Sequence, residues 1–143
     1  MGVGVPSAIG AKLANPDRPV TCLSGDGRLF MCPQALHTAA EFDIDVTVVV
    51  FNDSDYGIIS KSSKIDGDSD DRRFSWTSPD WISIAEEFGC DGRSARTRAD
   101  LESALNWSIE TDGPALIDLD IDGKELTPYQ AVADKSDVDP RTF

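Results

Sequence analysis

Residues 46 to 51 read VTVVVF, a continuous apolar run rich in β-branched residues. A strand with one face in water alternates apolar and polar residues, whereas a strand buried on both faces does not. This run therefore needs cover on two sides, which a parallel sheet flanked by helices supplies. The neighbouring segments fit. Pro6 to Leu13 has helical apolar spacing with proline in the first turn. Val20 to Leu23 reads as a short apolar strand, and Pro33 to Phe42 as a helix. Pro79 to Phe88, closed by Gly89, and Ala99 to Glu110 read as helices, and Pro114 to Ile121 as a last strand. The predicted order is helix, strand, helix, strand, a polar stretch, helix, helix, strand. That alternation predicts a three-layer α/β/α domain with a mainly parallel sheet. Lys61 to Ser78 has little apolar content and is expected to be an irregular, mobile excursion. The domain is expected over residues 1–125, with a tail over 126–143 that shows no clear periodicity.

A chain of 143 residues suits one domain with one core. Its net charge of −13, with only 13 Lys and Arg spread along it, argues against nucleic acid as a partner. No apolar stretch approaches a membrane span, and no signal segment opens the chain, so a cytoplasmic protein is expected. The opening MGVGVPSAIGA reads instead like the middle of a domain. Cys22, Cys32 and Cys90 are odd in number and lack metal-ligand spacing, which favours reduced thiols.

Ligands of parallel α/β sheets gather at the carboxyl ends of the strands. Two of the predicted strands end in residues suited to binding, one in Gly25-Asp26-Gly27 and the other in Asn52-Asp53-Ser54. A right-handed crossover through the helix at 33–42 makes these strands parallel and brings both ends to one edge. A carboxylate from Asp26, an amide oxygen from Asn52 and a nearby backbone carbonyl make a hard oxygen set, suited to Mg²⁺ or Ca²⁺ rather than zinc. Mg²⁺ commonly completes its shell with water and ligand phosphates. Gly25 and Gly27 suit close approach of a phosphate to the backbone.

Gly25-Asp26-Gly27, then 24 residues, then Asn52, resembles the thiamine diphosphate motif that opens with GDG and closes with Asn. MGVGVPSAIGAKLANPDRPVTCLSGDG, NDSDYGII, PDWISIAEEFG and DGPALIDLDID follow in order. Together they resemble the C-terminal cofactor-binding domain of the acetolactate synthase, pyruvate oxidase and 2-oxoacid decarboxylase family. The resemblance implies that Asp26 and Asn52 ligate Mg²⁺ through their side chains and Ser54 through its carbonyl. It implies that Gly25, Gly27 and Arg28 line the diphosphate, that Met31 lies near the cofactor, and that Tyr56 and Gly57 border the diphosphate. Two positions depart from the family pattern, where a second Asn is often found at Asp53 and a Gly at Ser54. The implied activity is decarboxylation or carboligation of a small 2-oxoacid. The family's activating glutamate sits on a separate pyrimidine-binding domain, expected here on a partner chain or within a homo-oligomer. No catalytic residue is assigned within this chain, which is expected to be inert alone. The alternative is a non-catalytic binding module that keeps only the fold.

Plainer readings stand beside these. Asp26 and Asn52 could serve only as turn and cap residues, though the ordered blocks around them weigh against it. His37 reads as a helix-surface residue, and Phe30, Met31, Trp76, Trp81 and Trp107 read first as packing residues. DGDSDD at 66–71 echoes a calcium loop but lacks its glycine and terminal glutamate, and Arg72-Arg73 is too small a basic patch to mark a surface.

The spread acidity fits a protein adapted to high salt, where screening removes most of the repulsion among carboxylates. The melting temperature should then rise as KCl goes from dilute to molar. A flat or falling curve would remove the salt-adaptation reading.

Overall fold

The structure, a computed structural model, describes residues 1–60 and 74–121. Most of the expected excursion over Lys61 to Ser78, with the DGDSDD run and Arg72-Arg73, lies outside the described residues, as does the tail. The elements run α1 (Gly4–Ala14), β1 (Thr21–Gly25), α2 (Asp26–Leu29), α3 (Ala35–Glu41), β2 (Thr47–Asn52), α4 (Trp81–Glu87), β3 (Asp91–Ala95), α5 (Arg98–Glu110) and β4 (Ala115–Asp120). Among the described residues the four strands form one sheet in the order β1-β2-β4-β3. Every neighbouring pair in it is parallel.

The two faces of the sheet explain the VTVVVF run. Val48 and Val50 point to one face, where they join Val5 and Ile9 of α1, Leu36 and Ala39 of α3, and Trp81 and Ala85 of α4. Val49 points to the other face, where it joins Ala104 of α5 with Ala95, Ile117 and Leu119. From Val48 to Val50 a β2 residue on either side therefore meets packed hydrocarbon, and the buried polar residue at the amino end, Thr47, donates its hydroxyl to that of Ser108 at 3.0 Å.

The predicted helices and three predicted strands form within a few residues of the expected bounds. The structure corrects the element order, since β3 stands between the last two helices. Its sequence, DGRSA, carries no apolar signal because β3 is an edge strand whose only fully buried residue is Ala95. Charged residues suit such an edge, because they discourage further strand pairing. Arg93 also lays its guanidinium 4.3 Å from the Trp107 ring centroid on α5. A second omission is α2, a single turn that follows β1 with no loop between them.

Local signals set the helix ends. The Asp80 carboxylate caps α4, accepting from the backbone N–H groups of Ile82 and Ser83 at 3.1 Å each. These bonds and the Ser83 hydroxyl hold the Asp80 carboxyl below its ordinary pKa. Gly89 follows α4 at φ +84°, a left-handed conformation that glycine adopts without strain. A capping box of Thr97 and Asp100 opens α5. His37 is exposed on α3, as expected, and Cys22 and Cys90 are buried free thiols. Among the described residues no helix is long and apolar enough to cross a membrane.

At Gly92 in β3, an added Cβ would stand 2.8 Å from the Ile82 Cγ2 atom on α4, closer than packed carbons allow. Gly92→Ala should therefore destabilise the fold by about 1–3 kcal/mol. Urea denaturation of both proteins checks it, and an unchanged midpoint would mean that β3 and α4 do not pack this closely.

Candidate functional site

The parallel register pairs Gly25 with Phe51, so the carboxyl ends of β1 and β2 lie side by side. Asp26 leaves β1 and opens α2 with its side chain buried at 1% exposure. Its Oδ1 accepts from the Gly27 N–H at 2.8 Å, and its Oδ2 accepts from the Ser54 N–H at 3.0 Å. One carboxylate thus ties the loop after β2 to the start of α2. Burial pushes this carboxyl up to about 6, the two N–H bonds pull it down, and the nearby Asp53 charge adds to the rise.

Ser54 holds φ at +57°, in the left-handed region. That conformation costs a non-glycine residue roughly 1–2 kcal/mol. It turns the Ser54 N–H onto Asp26. The Ser54 carbonyl accepts from the Trp76 N–H at 3.0 Å. The Ser54 and Ser78 hydroxyls are 2.9 Å apart, and the Ser78 hydroxyl donates to Asn52 Oδ1 at 2.7 Å. An amide oxygen only accepts, so Ser78 gives its proton to Asn52 and Ser54 gives its own to Ser78. The other end of the Asn52 amide, Nδ2, donates to Asp118 Oδ1 at 3.0 Å. Asp26, Ser54, Ser78, Asn52 and Asp118 therefore form one connected polar network at the strand ends.

A cleft of about 580 Å³ opens beside it. Of the nine residues assigned to the site from sequence, Gly25, Asp26, Gly27, Arg28, Tyr56 and Gly57 line this cleft. Asn52, Ser54 and Met31 do not line it; Asn52 and Ser54 sit in the network behind, and Met31 is 51% exposed outside it. Leu23, Phe51, Ile58, Ile59 and Ile121 give the cleft an apolar wall. Phe30, expected as a packing residue, is partly exposed and meets Trp76 edge-to-face and Trp81 at a tilt, at centroid distances of 5.6 and 4.8 Å.

The two glycines of the motif have different reasons to be glycine. An added Cβ on Gly27 would stand 2.6 Å from Tyr56 Cε1 and 3.1 Å from the Trp76 ring, so the protein itself excludes a side chain there. Gly25 has an ordinary extended backbone, with φ −75° and ψ 154°. Among the described residues the nearest atom to an added Cβ on Gly25 is the Phe51 carbonyl at 4.0 Å, so none of them requires glycine at this position.

Three residues escaped the sequence reading. Ser78 lies in a stretch dismissed as polar. Asp55 places Oδ1 in a buried position with no partner among the described residues, while its Oδ2 accepts from the Ser60 hydroxyl. Asp118 had a readable signal, because a carboxylate inside the apolar strand ALIDLD must find a partner. Among the described residues no three His, Cys, Asp or Glu side chains gather as a metal site. The oxygen set expected here contains only one such side chain.

Raising a buried carboxyl from its ordinary value near 3.9 makes the folded chain bind a proton that the unfolded chain has lost. That contribution to stability is present below about pH 4 and is lost as pH rises towards the Asp26 value of about 6. The chain without added metal should lose melting temperature across this window, and Asp26→Asn should flatten that part of the profile. A profile identical in both proteins would remove the assignment.

The family described as thiamine pyrophosphate enzyme, C-terminal TPP binding domain, matches residues 1–119. The acetolactate synthase catalytic subunit, mitochondrial, of Aspergillus candidus is 36% identical over 87% of this chain and 18% of its own length. The acetolactate synthase isozyme 1 large subunit of Escherichia coli K12 is 38% identical over 87% of this chain and 22% of its own length. The chain thus spans about a fifth of the length of these relatives. In structure it is similar to the thiamine diphosphate-dependent 4-hydroxybenzoylformate decarboxylase of Rhodococcus jostii RHA1, with a TM-score of 0.79 and 33% identity. That likeness covers 84% of this chain and 23% of the other. With the motif, the parallel fold and the match over residues 1–119 in agreement, this chain belongs to the family of C-terminal thiamine pyrophosphate-binding domains of thiamine pyrophosphate enzymes.

Proposed function

We propose that this domain holds the diphosphate end of thiamine diphosphate together with Mg²⁺, as part of an acetolactate synthase-like or 2-oxoacid decarboxylase-like enzyme. The observation that carries this reading is Gly25. Its backbone conformation and its surroundings would accept a side chain, yet it stands bare at the cleft. A bare backbone facing open space suits a ligand that must approach closely, and a phosphate is such a ligand.

The donor set fits a hard cation. Asp26 offers a carboxylate whose two oxygens each accept one backbone N–H and keep lone pairs free. Asn52 Oδ1 and the Ser54 carbonyl each accept one hydrogen bond and likewise keep a second lone pair. These three oxygens would hold the ion, with phosphate and water completing its shell. Gly25, Gly27, Arg28, Tyr56 and Gly57 would border the diphosphate, and the apolar wall of the cleft would exclude water beside it. When bound, thiamine diphosphate supplies an electron sink for cleavage beside a 2-oxoacid carbonyl. The residues of this chain bind and orient; the activating glutamate would come from a pyrimidine-binding domain, on a partner chain or a second copy. Residues 1–125 form the binding unit in this reading. The chain alone should release almost no carbon dioxide from pyruvate.

Calorimetry with thiamine diphosphate, with and without Mg²⁺, tests the site. Binding should require the divalent ion, and Asp26→Ala should abolish it. Gly25→Ala separates ligand from fold. It should leave stability unchanged or raise it by up to about 1 kcal/mol, because alanine restricts the unfolded chain. It should nevertheless weaken cofactor binding by roughly tenfold, about 1.4 kcal/mol. Equal affinity in Gly25→Ala and wild type, or binding unaffected by chelator, contradicts the proposal.

A further inference from the structure

We propose that Asp118 is the positioning residue for Asn52, holding its side-chain amide so that the oxygen rather than the nitrogen is offered to the cation. The inference rests on the reading of Asn52 as a metal ligand. A side-chain amide has two ends of nearly the same shape and opposite chemistry. Only Oδ1 can ligate a cation, and an amide turned over would present N–H groups to it. The partners at the two ends therefore decide whether the site works.

Those partners are not equivalent. Ser78 meets Asn52 Oδ1 through a hydroxyl. A hydroxyl donates or accepts, so Ser78 could bond either end of the amide and cannot choose between them. Asp118 meets Nδ2 through a carboxylate oxygen at 3.0 Å. A carboxylate only accepts, so a turned amide would set two oxygens against each other at that distance. The choice of orientation thus falls to Asp118.

Its place in the fold suits this task. In the β2–β4 register Asp118 pairs with Val50, and Asn52 pairs with Asp120, so both side chains stand on the sheet face covered by α1, α3 and α4. Within β4, Ala115, Leu116, Ile117 and Leu119 are buried, and Asp118 is a half-buried carboxylate among them. The central strand is more rigid than a loop, and a ligand held from it stays in register with the sheet.

The test is a Mg²⁺ titration of thiamine diphosphate binding by calorimetry, on wild type, Asp118→Leu, Asp118→Asn, Asn52→Ala and the double variant Asn52→Ala/Asp118→Leu. Asp118→Leu should weaken the apparent Mg²⁺ affinity by roughly 10- to 100-fold, as loss of a partner behind a metal ligand does. Asp118→Asn presents either a donor or an acceptor, so like Ser78 it cannot choose the orientation, and it should lose nearly as much affinity as Asp118→Leu although it keeps a hydrogen bond to Asn52. In the Asn52→Ala background, Asp118→Leu should add nothing, because there is no amide left to orient. A purely structural role would lower melting temperature without this non-additivity. Wild-type affinity in Asp118→Leu, or independent addition of the two effects, overturns the assignment while leaving the cofactor reading intact. Absence of Mg²⁺-dependent binding in wild type overturns both. Should Asp118→Leu fail to fold, the wild type still decides: the Asn52 Nδ2 protons, identified by their loss in Asn52→Ala, should exchange slowly with solvent in the loaded protein. Rapid exchange overturns the assignment.

Discussion

The buried carboxylate of Asp26 is the interaction on which the arrangement at the carboxyl ends of β1 and β2 depends. At 1% exposure it cannot be hydrated, and an unpartnered charge there would be expensive. Its two backbone N–H partners come from Gly27 and Ser54, one from the start of α2 and one from the loop after β2. Satisfying the carboxylate therefore fixes the separation of the two strand ends. The left-handed backbone at Ser54 belongs to the same arrangement, since a hydrogen bond to a charged acceptor, about 1.5–3 kcal/mol, offsets the conformational cost. A raised carboxyl value follows from the same burial. In the proposed function, a cation beside Asp26 would supply the charge that the protein does not.

Around this tie the sheet acts as a frame. Asn52 and Asp118 come from paired strands on one face, and Ser78 reaches them from just before α4. The cleft opens beside them, bordered by the bare backbone of Gly25 and by an apolar wall from β1, β2, the residues after β2, and Ile121 just after β4. Polar network and apolar wall are separate because neighbouring residues of a strand point to opposite faces. Val50 and Asn52 serve one side, and Phe51 serves the other.

The sequence was a good guide where local chemistry and burial agree. VTVVVF announced a doubly covered strand, and that is where β2 lies. DGRSA announced nothing, because an edge strand with one buried residue is held by backbone pairing to β4 and needs no apolar pattern. The glycines of the GDG motif show the same division. Both were read as making room for a phosphate. Gly27 also makes room for the Tyr56 and Trp76 rings, contacts with residues 29 and 49 positions away in the chain, which no reading of the tripeptide could supply.

By itself the sequence determined the class of fold, the two strand ends that carry polar residues, and the family resemblance through its spaced motif. These are properties of local runs and of fixed spacing, and each is written in consecutive residues. The tertiary structure alone decided the strand order β1-β2-β4-β3, the strand hidden in DGRSA, and the partners of Asn52. Ser78 and Asp118 are 26 and 66 residues from Asn52. A hydrogen bond depends on distance and direction, and only the folded sheet brings donors and acceptors so far apart in sequence to within 3 Å.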